Sequence, residues 1–141
     1  MTHDEIVEVV NRRSQGFADG DASLIADQYA RQAILESPVS GVAQGRDAIR
    51  AAYEQLLGAL GPLDVSREEL LVDGKRVVFC FAAKATHSGE FFGLPATGKQ
   101  FTIHGVTLMT FEAKKIVHER RVHDFTGLLV TLGVLKARPQ S

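Results

Sequence analysis

Asp124, His104, Arg13 and Arg120 are polar residues placed where apolar neighbours could shield them, and their types suit proton transfer. Asp124 ends a half-apolar stretch and is followed by Phe125 and an apolar tail. Shielded by that tail, its carboxylate would serve as an acid or a base; otherwise it caps a following helix, since Asp is a favoured N-cap. Arg13 falls three residues after Val10, beside an apolar stripe that runs on to Phe17. An arginine there either snorkels to water or meets an acceptor inside the fold. His104 shares a strand face with Val106 and Leu108, as a satisfied core histidine or as a catalytic one. Arg120 shares the face of Asp124. Asp124 and His104 are thus the candidate catalytic pair, with Arg120, Arg13 and Phe17 as candidate substrate contacts. Whether His104 and Asp124 meet depends on a hairpin register. Pairing Phe111 with Ile116 through a regular turn puts them on opposite faces, and one bulge reverses that.

Other motifs fail on context. Gly93-Leu94-Pro95-Ala96-Thr97-Gly98-Lys99 has the spacing of a phosphate-binding loop, but Gln100 follows where Ser or Thr is needed. Such a loop must also open a helix, and Phe101-Thr102-Ile103-His104 alternates like a strand. His118-Glu119-Arg120-Arg121-Val122-His123 is one residue too long for a zinc-protease motif, and on a strand its two histidines point to opposite faces. No bound metal or nucleotide is expected.

The elements that must position these residues follow from periodicity. Thr2-x-x-Glu5 is a capping-box pattern opening an apolar series at Ile6, Val9, Val10 and Phe17, one face of a helix that ends at Asp19-Gly20-Asp21. Asp21 caps a second helix to about residue 29. Residues 33–37 read as a strand stopped by Pro38 and Gly41. Residues 46–60 give the clearest helix, with Ile49, Tyr53, Leu56 and Leu60 on one stripe, ended by Gly61-Pro62. Residues 63–72 read as extended and 76–86 as a strand apolar on both faces. Residues 88–99 are loop, 101–111 and 116–124 two further strands, and 127–135 an apolar tail with a short helix. Helices first and a meander of strands after indicate an α+β fold with the helices on one side of an antiparallel sheet.

Composition narrows the classes. The 141 residues fit one domain, 1–141, and 45% hydrophobic content is ordinary for a globular chain. Sixteen basic and 17 acidic residues leave a charge of −1 with no basic block, so nucleic acid is not an expected partner. No apolar run is long enough to cross a bilayer and the N-terminus lacks a signal-peptide layout, so a cytoplasmic, non-membrane protein is expected. Cys80, the single cysteine, reads as a small buried hydrophobe.

The stretches "GEFFGLPATGKQFTIHGVTLMTF" and "KIVHERRVHDFTGLLVTLG" resemble the SnoaL-like polyketide cyclases and ester cyclases of the nuclear-transport-factor-2-like superfamily. The shared pattern is Gly93-x-Pro95-x-Thr97-Gly98-Lys99, then Lys115-Ile116-Val117, Asp124 and Leu128-Leu129-x-x-Leu132-Gly133. "ADGD", "ESPVSG" and "GRDAIRAAY" fit the wider superfamily. The resemblance implies a cone-like, cystatin-like α+β barrel, its curved antiparallel sheet cupped around N-terminal helices and a deep apolar pocket. It also implies frequent homodimers, catalysis without a cofactor, and Asp124 as the acid/base of an aldol closure. Departures are visible. Arg120 stands where the family often has Trp. Ser37 and Arg13 stand where ketosteroid isomerases have a carboxylate and a tyrosine, and residues 107–111 lack the Arg-x-Asp pair of the epoxide hydrolases.

The reading that results is a cofactor-independent enzyme acting by proton transfer or aldol cyclisation on a small apolar carbonyl compound. The alternative is a noncatalytic ligand-binding or dimerisation module on the same fold. The environment of Asp124 separates them: facing a pocket with a cation nearby it favours the enzyme, and as a mere cap it favours the module.

Overall fold

The structure, a computed structural model, describes residues 1–38 and 41–136; Val39 and Ser40 of the "ESPVSG" segment lie outside them. Helix α1 (His3–Asp19) starts at the expected capping box, in which Thr2 and Glu5 each accept the other's backbone N–H. Asp21 caps α2 (Ala22–Ala26), which is shorter than the expected run to about residue 29 because the chain turns into strand β1 (Tyr29–Ser37) at Tyr29. Helix α3 (Arg46–Leu60) ends at Gly61, with φ +66. Then follow β3 (Asp64–Asp73), β4 (Arg76–Thr86), β5 (Gln100–Glu112), β6 (Lys115–His123) and a one-to-two-turn helix, α4 (Phe125–Thr131). Strand β2 (Gly41–Gln44) is the element that Gly41 concealed, and it pairs antiparallel with the end of β1.

The described strands form one six-stranded sheet in the order β2-β1-β6-β5-β4-β3. The fold is α+β with a curved sheet, as in the cystatin-like class. One pairing departs from the antiparallel expectation: β1 runs parallel to β6, so the sheet is mixed. Periodicity within β1 reports its faces but not its partner, which lies more than 80 residues away. The sheet is open rather than a closed barrel, with β2 and β3 as edges.

Helices α1 to α3 cover the inner face, and the core fills the space between them with Ile6, Phe17, Tyr53, Phe79, Met109 and Ile116 among its buried members. The outer face is uncovered and partly apolar; Val42, Leu71, Val106 and Val122 are exposed there. None of the described helices is long and apolar enough to cross a membrane.

The turn between β5 and β6 decides what faces the core. Ala113 and Lys114 both have positive φ, making a tight two-residue hairpin in which Glu112 pairs with Lys115 and Phe111 with Ile116. The next pair is Thr110 with His118, so Val117 is an extra residue, a β-bulge. Beyond it the alternation is reset. Ile116, Glu119 and Arg121 are buried, while Arg120 and Val122 are exposed.

Candidate functional site

The bulge at Val117 points Glu119 into the core, where its side chain is fully buried. Both carboxylate oxygens are saturated. Oε2 accepts from Arg13 Nη2 at 2.7 Å, Arg121 Nη2 at 3.0 Å and Thr107 Oγ1 at 2.6 Å. Oε1 accepts from the hydroxyls of Tyr29 and Tyr53. Those two hydroxyls are also 2.8 Å from each other, and Tyr29 accepts from Arg13 Nε. Arg13 thus takes the inward option for an arginine beside an apolar stripe: it is 2% exposed and stacks over Phe17. Arg121 donates to Tyr53, and its guanidinium lies 5.3 Å from that ring's centroid.

Electrostatics fix the charges of this cluster. Burial alone would raise the Glu119 pKa, but the two guanidiniums, with the Thr107 and Tyr29 hydrogen bonds, outweigh it and hold the carboxyl down at about 2. Burial pulls the Arg13 and Arg121 values down, and their anionic and phenolic neighbours more than restore them, so both stay charged. Burial raises Tyr29 well above its ordinary value, keeping it a neutral donor.

Two cavities adjoin the cluster. An inner cavity of about 50 Å³ lies between α1, α3 and the sheet, with Arg13, Phe17, Phe79, Arg121 and His123 in its wall. A larger cleft of about 360 Å³ opens beside it, bordered by Ser37, Tyr53, Gln55 and Glu90 and by the apolar Leu35 and Phe92. Leu56, Phe91 and Arg121 line both, so Arg121 stands at the seam. The 88–99 loop that supplies Phe91 is anchored by His87, buried, with Nδ1 2.9 Å from Thr97 Oγ1. It runs into β5, not into a helix. Phe92 reaches Phe125 edge to face, and His123 packs against the same ring.

Two nitrogens in the inner wall are buried without a partner, Arg121 Nε and His123 Nε2. Burial first, then Arg121, lower the His123 pKa, with Asp124 acting weakly the other way. A neutral imidazole results at pH 7. Gly105 makes room for it: a Cβ there would meet Phe81 Cζ at 2.6 Å and His123 Cβ at 3.0 Å. Among the described residues, no three His, Cys, Asp or Glu side chains gather into a metal-binding group.

The residues singled out from the sequence are divided by the sheet. Arg13 and Phe17 line the inner cavity. Arg120 is exposed on the outer face, 3.6 Å from Glu36, which also holds His118 at 2.7 Å. His104 is exposed and 3.7 Å from Glu68. Asp124 is exposed; its carboxylate accepts from Gly127 N–H at 2.9 Å as the N-cap of α4. The bulge does bring His104 and Asp124 together, since the Asp124 N–H donates to the His104 carbonyl at 2.9 Å. Their side chains border a shallow outer groove, outside both inner cavities, with Cys80, half-buried rather than buried, beside them. Glu119, Arg121 and His123 went unselected because an unbroken alternation from Ile116 turns them outward. The available signal was Arg13 itself, a buried cation needing an acidic partner.

The profile of the SnoaL-like polyketide cyclase family matches residues 7–132. Solved structures of the same fold include AclR from Streptomyces galilaeus, 24% identical over 99% of this chain and 87% of that one, with a TM-score of 0.86. TsrD from Streptomyces laurentii is 19% identical over 96% and 99%, with a TM-score of 0.86. IdmH from Streptomyces antibioticus is 21% identical over 92% and 99%, with a TM-score of 0.77. At these identities the likeness establishes the fold alone. No curated protein sequence matches the chain.

Proposed function

The chain belongs to the SnoaL-like polyketide cyclase family, and from that premise we propose that it is an enzyme moving a proton at the carbon beside a carbonyl, in a cyclisation or isomerisation of a small molecule. The observation that carries this reading is the pair of buried, unpartnered nitrogens, His123 Nε2 and Arg121 Nε, on two residues that line one cavity. A neutral imidazole is suited to accept a proton at pH 7, and a fixed guanidinium beside it stabilises the oxygen that becomes negative. In the step, the C–H bond breaks, the proton passes to the imidazole, and the electron pair moves through the new enolate onto oxygen beside Arg121. Return of the proton to another carbon completes an isomerisation. Attack of the enolate carbon on a second carbonyl, with the proton passing to the new alkoxide, closes a ring. Arg13 and Phe17 shape the cavity, and Glu119 positions Arg121.

The test is exchange of the acidic hydrogen of an aryl 1,3-diketone into deuterated water, followed by NMR. His123→Gln should slow the enzyme-dependent rate by about 10²- to 10⁴-fold, the usual worth of a placed proton-transfer group. In the parent the rate should hold its plateau below pH 6.5, the ordinary histidine value, because the His123 pKa is lowered. Undiminished exchange in the variant removes His123 from the mechanism, and no exchange across a panel of carbonyl compounds removes the reaction class. A second reading, a noncatalytic binding module, is favoured by Asp124 serving as a helix cap. Tight binding of such compounds without exchange would select it.

The apolar outer face also supports the homodimer expected from the sequence, since exposed Val106 and Val122 form part of an uncovered patch. Sedimentation as a monomer at micromolar concentration would rule it out.

A further inference from the structure

We propose that the ligand of this site is an aryl compound bearing a free carboxylate one carbon away from its reacting carbonyl, and that the carboxylate docks on Arg121 at the seam of the two cavities. The proposal rests on the reading that these cavities take the substrate.

The buried cluster holds two guanidiniums, Arg13 and Arg121, and one carboxylate, Glu119. Its other members, Tyr29, Tyr53 and Thr107, bring hydroxyls and no charge. One positive charge is therefore left over in the core. Glu119 has nothing further to offer, since both its oxygens are engaged by the cluster. A buried charge without a counter-ion is costly, and the cost falls when an anion arrives.

Arg13 commits Nε and Nη2 to Tyr29, Tyr53 and Glu119. Arg121 commits Nη2 to Tyr53 and Glu119, while its Nε is buried and unpartnered. Arg121 is also the charged residue common to the walls of both cavities. One of the two guanidinium-bearing residues thus borders the ligand space on both sides. No acid already answers it there: Glu90 on the cleft rim is exposed, and Asp124 is turned outward as a cap.

The cleft of about 360 Å³ has apolar walls at Leu35, Ala52, Leu56, Phe91 and Phe92, suited to a flat ring system. The inner cavity, about 50 Å³, holds only a few atoms and contains His123. A ring in the cleft, a carboxylate on Arg121 and a reacting carbon reaching toward His123 match the charge and shape of the site. With one carbon between the carboxylate and the carbonyl, as in a 3-oxo acid, the acid and the developing enolate lie against one guanidinium.

The experiment uses 2-naphthoate, 2-naphthamide and methyl 2-naphthoate as probes with the whole chain, binding being measured by calorimetry or probe fluorescence. The expected result is that the acid binds at least about tenfold more tightly than either neutral probe, since a charge-assisted pair is about twice as strong as a neutral one. In Arg121→Gln the preference should fall to within about twofold. That variant keeps the Arg13–Glu119 pair in balance, and a thermal melt should show it folded. His123→Gln should lose proton exchange and keep the preference for the acid, which separates failure of this proposal from failure of the proton-transfer reading. Equal binding of acid and amide by the parent overturns the proposal. So does a preference that survives Arg121→Gln, or no binding of the acid below millimolar concentration.

Discussion

Strand β6 carries ionic groups on both faces, and the two faces treat them in opposite ways. On the outer face Glu36 receives His118 and Arg120, all three between roughly one-third and two-thirds exposed. On the inner face Glu119 receives Arg13 and Arg121, all three nearly or fully buried. Each set is one glutamate with two nitrogen donors, a histidine and an arginine at 2.7 and 3.6 Å outside and two arginines at 2.7 and 3.0 Å inside. Water screens the outer set, so its pairs contribute little to stability. The inner set has given up its hydration, so each member depends on the others, and removing one leaves charge stranded. A list of salt bridges would rank the two sets together. Burial separates a surface ornament from a device that holds a cation against a cavity.

The sharpest way to break the comparison is to neutralise each carboxylate in turn. Glu119→Gln should cost about 3–5 kcal/mol in urea unfolding, because two buried guanidiniums lose their counter-ion. Glu36→Gln should cost no more than about 1 kcal/mol. Equal losses would mean that the inner cluster is solvated in the native state. Acid should distinguish the faces in the same order. The Glu119 pKa falls from 4.5 to about 2 on folding. Its contribution is therefore fully present above 4.5 and lost as pH drops toward 2. His123, lowered from 6.5, adds a smaller loss that begins below that value. The acid limb of stability should flatten in Glu119→Gln and stay in Glu36→Gln. The smallest effect concerns Asp124. Asp124→Ala should lose about 1 kcal/mol as a removed cap, while Asp124→Asn should keep both stability and proton exchange. A large loss of exchange in the Asn variant would return Asp124 to the chemistry.

The helices and most strands were legible in the sequence because their signals are local. Thr2 with Glu5, Asp21, and Gly61 with Pro62 mark ends that the structure keeps. Strand β2 was hidden because four residues beginning with a positive-φ glycine read as a turn. The parallel partner of β1 was hidden because strand pairing at long separation leaves no periodic trace. The candidate site was half legible. Arg13 and Phe17 stand out as a cation and an aromatic on one helical stripe, and both reach the cavity. The β6 residues were not legible, because polar and charged side chains occupy both of its faces from His118 onward. Which set turns inward is settled by Val117, an unremarkable residue in a regular-looking run.

That bulge also bears on how the protein tolerates changes in chain length. The pairs from Thr110–His118 to Gly105–His123 hold register without reference to the turn. A hairpin shortened by one residue near Ala113 can iron the bulge flat and leave Glu119, Arg121 and His123 where they are. A residue added after His118 has no such slack and would turn the whole inward set over. Insertions and deletions of equal size thus have unequal consequences within one strand: the turn has slack in length that the far half of β6 lacks.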